Sequence, residues 1–169
     1  MNKILKTFAA CFIGLLPVAT FAKTSEAEQV RKIIDKVNQH WQAENKPEVR
    51  SFWDNAAYHT GNMEAYFLTG NETYRAYSEA WAKHNEWKGA KSNDRSQWKY
   101  SYGESDEYVL FGDYQICFQT YADLYNLAPE DYKIKRAREV MEYQMSTPQN
   151  DYWWWSDGLY MVMPVMTKL

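Results

Sequence analysis

Two stretches of this chain overlay at fixed offsets, and the overlay limits what the chain can fold into. Asp54-Asn-Ala-Ala-Tyr58 is followed by Tyr66, Leu68 and the turn Thr69-Gly70-Asn71-Glu72-Thr73-Tyr74. Asp113-Tyr-Gln-Ile-Cys117 is followed, at the same spacing, by Tyr125, Leu127 and the turn Ala128-Pro129-Glu130-Asp131-Tyr132. Each unit reads as a helix, a tight turn and a second helix, so the chain is predicted to be all-α, an array of helical hairpins. A third unit opens at Asp157 and reaches Leu169 at the offset where the others have Tyr66 and Tyr125. Such hairpins bury their apolar faces only against neighbours. The missing return helix predicts the N-terminal part of a longer protein, truncated at its C-terminus, that is inactive and marginally stable alone. A short bundle of three hairpins is the alternative.

Apolar periodicity places the individual helices. Val30, Ile33, Ile34, Val37 and Trp41 share one face and predict a helix from Ser25 to about Ala43. A second runs from near Asp54 to Gly70, whose position after Thr69 suits a glycine C-cap. A third carries Tyr74, Tyr77, Trp81 and His84, a fourth spans Asp113 to Leu127, a fifth Asp131 to Met145, and a sixth opens near Asp157. Pro164 is expected to kink that last helix or keep it short. Lys88 to Gly112 reads as a long loop, and its Trp98, Tyr100, Tyr102 and Tyr108 argue against disorder.

Composition narrows the function. A net charge of -3, with Lys and Arg scattered, gives no field for a phosphate backbone, so nucleic-acid binding is not expected. The aromatic load is high, with 8 Trp, 14 Tyr and 7 Phe, and flat amphipathic rings suit wet, sugar-binding clefts. Residues 1–22 have a basic start at Lys3 and Lys6, an apolar stretch from Thr7 to Val18 and small residues ending at Ala22. This predicts a cleaved signal peptide and an exported chain, periplasmic or secreted, with no membrane attachment after cleavage. Only Cys117 then remains, which rules out an internal disulfide, and it is expected to be a small buried residue.

The repeat puts Asp54, Asp113 and Asp157 each at the head of a unit, so their helix starts are expected to converge at one rim with carboxylates facing a cleft. Simple N-capping is the competing reading. Asp157 follows Trp153-Trp154-Trp155. Aromatic surroundings disfavour ionisation, which predicts a carboxyl kept protonated near neutral pH and able to act as a general acid.

Three blocks together resemble glycoside hydrolase family 105, the unsaturated rhamnogalacturonyl hydrolases, related to the unsaturated glucuronyl hydrolases of family 88. They are Trp53-Asp-Asn-Ala-Ala-Tyr58-His59-Thr-Gly61-Asn-Met-Glu-Ala-Tyr66, Asp113 with Gln119-Thr-Tyr-Ala-Asp-Leu-Tyr125, and Trp154-Trp155-Ser-Asp157-Gly-Leu-Tyr-Met-Val-Met-Pro164. The resemblance implies an (α/α)6 barrel, of which residues 23–169 would supply about three hairpins of six. It implies a substrate oligosaccharide, pectin-derived, with a 4,5-unsaturated uronic acid at its non-reducing end, and neither metal nor cofactor. Protonation of the vinyl ether at carbon 4 and addition of water at carbon 5 would give a hemiketal that opens and expels the next sugar. By the same resemblance Asp157 is the acid and base, Asp113 the second carboxylate, and Tyr58 and Trp155 flank the sugar, with packing between hairpins the competing view for these two rings and the sugar favoured for Trp155. His59, one residue on, is a candidate to meet the substrate, although a lone His in a helix is more often structural. Only Ser146-Thr-Pro-Gln-Asn150 separates the fifth helix from the Asp157 block, shorter than is usual in relatives, which is expected to alter the cleft. Ordinary inverting hydrolysis by two carboxylates and a non-catalytic sugar-binding array are the competing functions.

Overall fold

The computed structural model describes residues 25–169, and the segment expected to be a signal peptide lies outside them. The described residues form six α-helices, α1 (Glu26–Glu44), α2 (Trp53–Thr69), α3 (Glu72–His84), α4 (Cys117–Leu127), α5 (Tyr132–Ser146) and α6 (Gly158–Lys168), with no strand among them. The architecture is part of an (α/α)6 barrel: α2, α4 and α6 lie side by side, with α3 packed on α2 and α5 on α4. No described helix is long and apolar enough to cross a membrane.

The centre of this arrangement is α4. Every residue from Cys117 to Leu124 is buried, so the helix is enclosed on all sides until its last turn. A helix wrapped on all sides must have neighbours all round, and α2, α3, α5 and α6 supply them. Its start lies later than the sequence suggested. Asp113 lies in a separate single 3₁₀ turn, Gly112–Tyr114, and the α-helix opens only at Cys117.

The other boundaries follow local chemistry. Ser25 and Glu28 close a reciprocal capping box at the head of α1, with Glu28 N donating to Ser25 Oγ at 3.3 Å and Ser25 N to Glu28 Oε2 at 3.0 Å. Gly70 ends α2 in the left-handed region at φ 70°, its N–H donating to Tyr66 O at 2.7 Å. The apolar stripe of α1 is a different matter. Val30, Ile33 and Val37 are 46%, 62% and 59% exposed, so the face that the periodicity marked as core is largely uncovered.

Pro164 sits inside α6 without ending it. A proline cannot donate to the carbonyl four residues earlier, here that of Tyr160. The buried Gln119 amide of α4 fills the gap, its Nε2 donating to Tyr160 O at 2.7 Å and to Met161 O at 3.2 Å. Replacing Gln119 by Leu leaves that carbonyl unpaired in the core. The expected loss is about 1–3 kcal/mol of unfolding free energy. A urea midpoint unchanged from the parent protein would show that Gln119 does not serve this purpose.

Candidate active site

The starts of α2 and α6 and the turn leading into α4 border one cleft of about 510 Å³. Asp113 and Asp157 both line it, with Trp155, Tyr160, Trp53 and Tyr102 among the walls. The helix starts therefore converge as the repeat predicted, but with two carboxylates rather than three. Asp54 is absent from the lining. It is exposed, accepts from Asn55 N at 2.8 Å and pairs with Arg50 at 3.4 Å. Arg50 also pairs with Glu104, from the loop that carries Tyr102.

Capping does not explain the two cleft carboxylates. Asp157 precedes α6 with helical dihedrals and makes no side-chain cap hydrogen bond, while Asp113 is inside its turn rather than ahead of it. Among the described residues neither side chain accepts a hydrogen bond or an ion pair. Two unpaired carboxylates facing one cleft repel each other and serve no evident packing purpose, a combination typical of functional sites.

The dehydrated carboxyl is Asp113, not Asp157 as the run of tryptophans suggested. Asp113 is pushed up from 3.8 to about 6, first by burial, then by the charge of Asp157 and lastly by that of Glu104. Asp157 itself is exposed in the cleft. The three tryptophans part company in space, which is why proximity in sequence misled. Trp154 and Trp155 are 53% and 49% exposed, with ring centroids 4.1 Å apart. Trp153 turns inward and donates from Nε1 to Gln115 Oε1 at 2.9 Å. Gln115 in turn donates to Gln144 Oε1 at 3.1 Å, and Gln144 donates to Leu110 O at 3.1 Å. This buried amide chain ties the tryptophan run to the segment just before Asp113. Nothing in the sequence spacing pointed to it.

Tyr58 and His59 lie elsewhere. The Tyr58 ring stacks on Trp41 at 4.5 Å, and its hydroxyl donates to Asn38 Oδ1 at 2.8 Å while accepting from Gln42 Nε2 at 3.1 Å, so it joins α1 to α2. It borders a separate apolar groove between those helices. His59 is 1% exposed, stacked on Trp81 at 4.0 Å, with Nδ1 3.0 Å from Ser78 Oγ. The structure makes it a core residue and not one presented to the cleft, because α2 turns position 59 inward against α3. Burial lowers its pKa from 6.5 to about 3. The unfolded chain therefore binds a proton in the window between pH 6.5 and about 3 that the folded chain does not. Stability is full above that window and is lost as pH falls through it, with a slope approaching about 1.4 kcal/mol per pH unit from this group. Thermal melts of His59→Gln and the parent protein between pH 7 and 4 measure the difference. Equal slopes would contradict a neutral buried imidazole.

Tyr102, Trp53 and Tyr160 are cleft residues to which the sequence reading gave no role. Tyr102, 67% exposed, lies in the long loop whose aromatic content was the usable signal.

Comparison with known proteins is consistent with this geometry. The sequence model of Glycosyl Hydrolase Family 88 matches residues 26–169. A solved structure described as a polysaccharide lyase is 72% identical, with a TM-score of 0.82 over 85% of this chain and 41% of that one. A glycosyl hydrolase family 88 structure from Bacteroides vulgatus is 65% identical, with a TM-score of 0.83 over 84% of this chain and 41% of that one. The chain thus spans less than half the length of either. A search of curated proteins finds no match. With a helical-hairpin fold, a cleft at the helix starts and a family match over nearly the whole described region, the chain belongs to glycosyl hydrolase family 88.

Proposed function

We propose that this chain contributes the paired carboxylates of a hydrolase of the family 105 type, which removes a terminal 4,5-unsaturated uronic acid from a pectin-derived oligosaccharide in an exported, periplasmic or secreted setting. The observation that carries the reading is the Asp113 and Asp157 pair in an aromatic cleft, each without a protein partner among the described residues. Hydration of a vinyl ether needs one group to give a proton to carbon 4 and one to take a proton from the incoming water. Two carboxylates that feel each other's charge hold a single proton between them over a range of pH. Such a pair supplies both groups at once.

Asp157, exposed in the cleft beside Trp155 and Tyr160, delivers the proton to the alkene carbon and recovers one from the water that adds at carbon 5. Asp113, whose carboxyl is raised to about 6, holds the proton at rest. Once it has passed the proton to Asp157, its negative charge steadies the oxocarbenium ion. The hemiketal formed at carbon 5 then opens and releases the neighbouring sugar. The rings of Trp155, Tyr160 and Tyr102 offer faces for the sugar.

The neighbour described as a polysaccharide lyase suggests a second reading, because elimination makes the same double bond that hydration removes. The two differ in the sign of one signal. With an unsaturated rhamnogalacturonan disaccharide, the alkene's ultraviolet absorbance falls if the reaction is hydration. With a saturated pectin oligosaccharide it rises if the reaction is elimination. A rise with the second substrate and no change with the first would replace the hydrolase reading.

A further inference from the structure

A second cavity, of about 570 Å³, lies between the first half of α5 and the loop that follows α3, and shares no lining residue with the carboxylate cleft. Its charged lining is Lys88, Arg95, Lys135 and Arg136 against Glu86 and Glu139. Each carboxylate has a partner, Glu86 with Lys88 at 3.0 Å and Glu139 with Arg136 at 3.7 Å. Among the described residues Arg95 and Lys135 are without an acidic partner, so the cavity carries unmatched positive charge. Burial lowers the pKa of the Arg136 guanidinium, the charge of Glu139 raises it, and the charge of Arg95 has a smaller lowering effect.

The wall is built rather than incidental. Arg136 is only 6% exposed, donates to Ser92 O at 3.0 Å and also bonds the Asn93 side chain. Its guanidinium and that of Arg95 lie 5.5 Å and 5.6 Å from the same indole, Trp98. At the other side Tyr132 is 49% exposed and rests edge-on against Trp87 at 5.7 Å. Trp87 and Glu86 hold successive left-handed backbones, at φ 58° and 54°, a conformation that side-chain-bearing residues adopt only under strain. The strained turn sets Trp87 behind Tyr132, leaving a supported aromatic ring beside free cations.

A ring face and two unmatched cations match a sugar ring that bears a carboxylate. A neutral sugar leaves the charge unanswered, and a bare phosphate leaves the ring unused. We propose that this cavity binds a uronate residue of an acidic oligosaccharide, with Tyr132 stacking on the sugar and Arg95 and Lys135 holding its carboxylate. The choice of a sugar acid rests on the hydrolase reading, whereas the anion site does not.

The test is calorimetric titration of the full chain carrying Asp113→Asn and Asp157→Asn with saturated trigalacturonate, which has no double bond to consume. Saturable binding is expected, weakening with salt and absent for neutral maltotriose. Adding Arg95→Gln and Lys135→Gln, both exposed positions, should weaken it by about tenfold or more, and Tyr132→Ala by several-fold, while Trp155→Ala leaves it unchanged. The proposal is overturned if trigalacturonate does not bind, if the Arg95 and Lys135 changes have no effect, if Trp155→Ala abolishes binding, or if inorganic phosphate competes as well as the trisaccharide. Loss of this binding with alkene hydration intact would remove the second site alone. Intact binding without hydration would remove only the proposed reaction.

Discussion

Asp157→Asn should slow the loss of alkene absorbance by about 10²–10⁴-fold while the unsaturated disaccharide still binds. The amide keeps the size and planarity of the carboxyl but can neither give carbon 4 a proton nor take one from water. Because Asp157 makes no cap hydrogen bond, its replacement costs the head of α6 nothing measurable. Asp113→Asn tests the other half of the pair. With its carboxyl pushed up to about 6, the parent protein's rate should fall as pH rises through 6, where the shared proton is lost, and that limb should move in the variant. Stability changes in the same direction with pH. A raised carboxyl stabilises the fold relative to the charged form below its ordinary value of 3.8, and that advantage is lost as pH rises through about 6. Asp113→Asn should therefore melt no lower than the parent at neutral pH while losing activity. A variant that lost both together would point to a structural carboxylate instead.

Gly89→Ala should be among the most damaging single changes outside the cleft. A Cβ at this position would lie 1.9 Å from the Tyr114 carbonyl oxygen and 2.9 Å from its carbonyl carbon. Both are backbone atoms, so no rotamer change relieves the clash. The segment cannot retreat easily either, since Ser51 Oγ donates to Lys88 O at 2.8 Å and to Gly89 O at 3.1 Å, and the Tyr121 hydroxyl donates to Lys88 O at 3.1 Å. Overpacking of this kind costs about 1–3 kcal/mol, and more where the obstacle is main chain. Tyr114 shares its single turn with Asp113, so any relief displaces the carboxylate. Activity should fall further than the lost stability accounts for, because a shift of about 1 Å can cost about 10²-fold in rate. Gly61→Ala is the matched control, with nothing within 4 Å of its Cβ in the middle of α2. There the expected change is a gain of about 0.5–1 kcal/mol. Urea melts in which the two variants shift alike would refute the contact argument.

Much of the fold was legible because apolar spacing and turn residues are local. Gly70 marked the end of α2, and the paired turns marked the hairpins. The misses share a cause, which is that neighbours in sequence are not neighbours in space. Asp157 follows three tryptophans yet faces the open cleft, whereas Asp113, with no tryptophan beside it in the chain, is the dehydrated group. Tyr58 and His59 follow Asp54 in one block, but the turn of α2 sends one ring to α1 and the other into the core. The stripe on α1 obeyed helical periodicity and still remains largely uncovered, because periodicity says which residues share a face and not what lies against it. The rescue of Pro164 by Gln119 links α4 to α6 across 41 residues of chain, beyond the reach of any spacing rule.

Cys117 is 0% exposed at the head of α4, its thiol donating to Tyr114 O at 3.2 Å, and burial pushes its pKa far above the ordinary range. Under the proposed export, a sulfhydryl that meets oxidant is ordinarily a liability, because it can cross-link one chain to another. Here the thiolate that such exchange requires does not form until α4 comes apart. Covalent dimers joined at this sulfur would thus be a record of molecules that met oxidant before they finished folding.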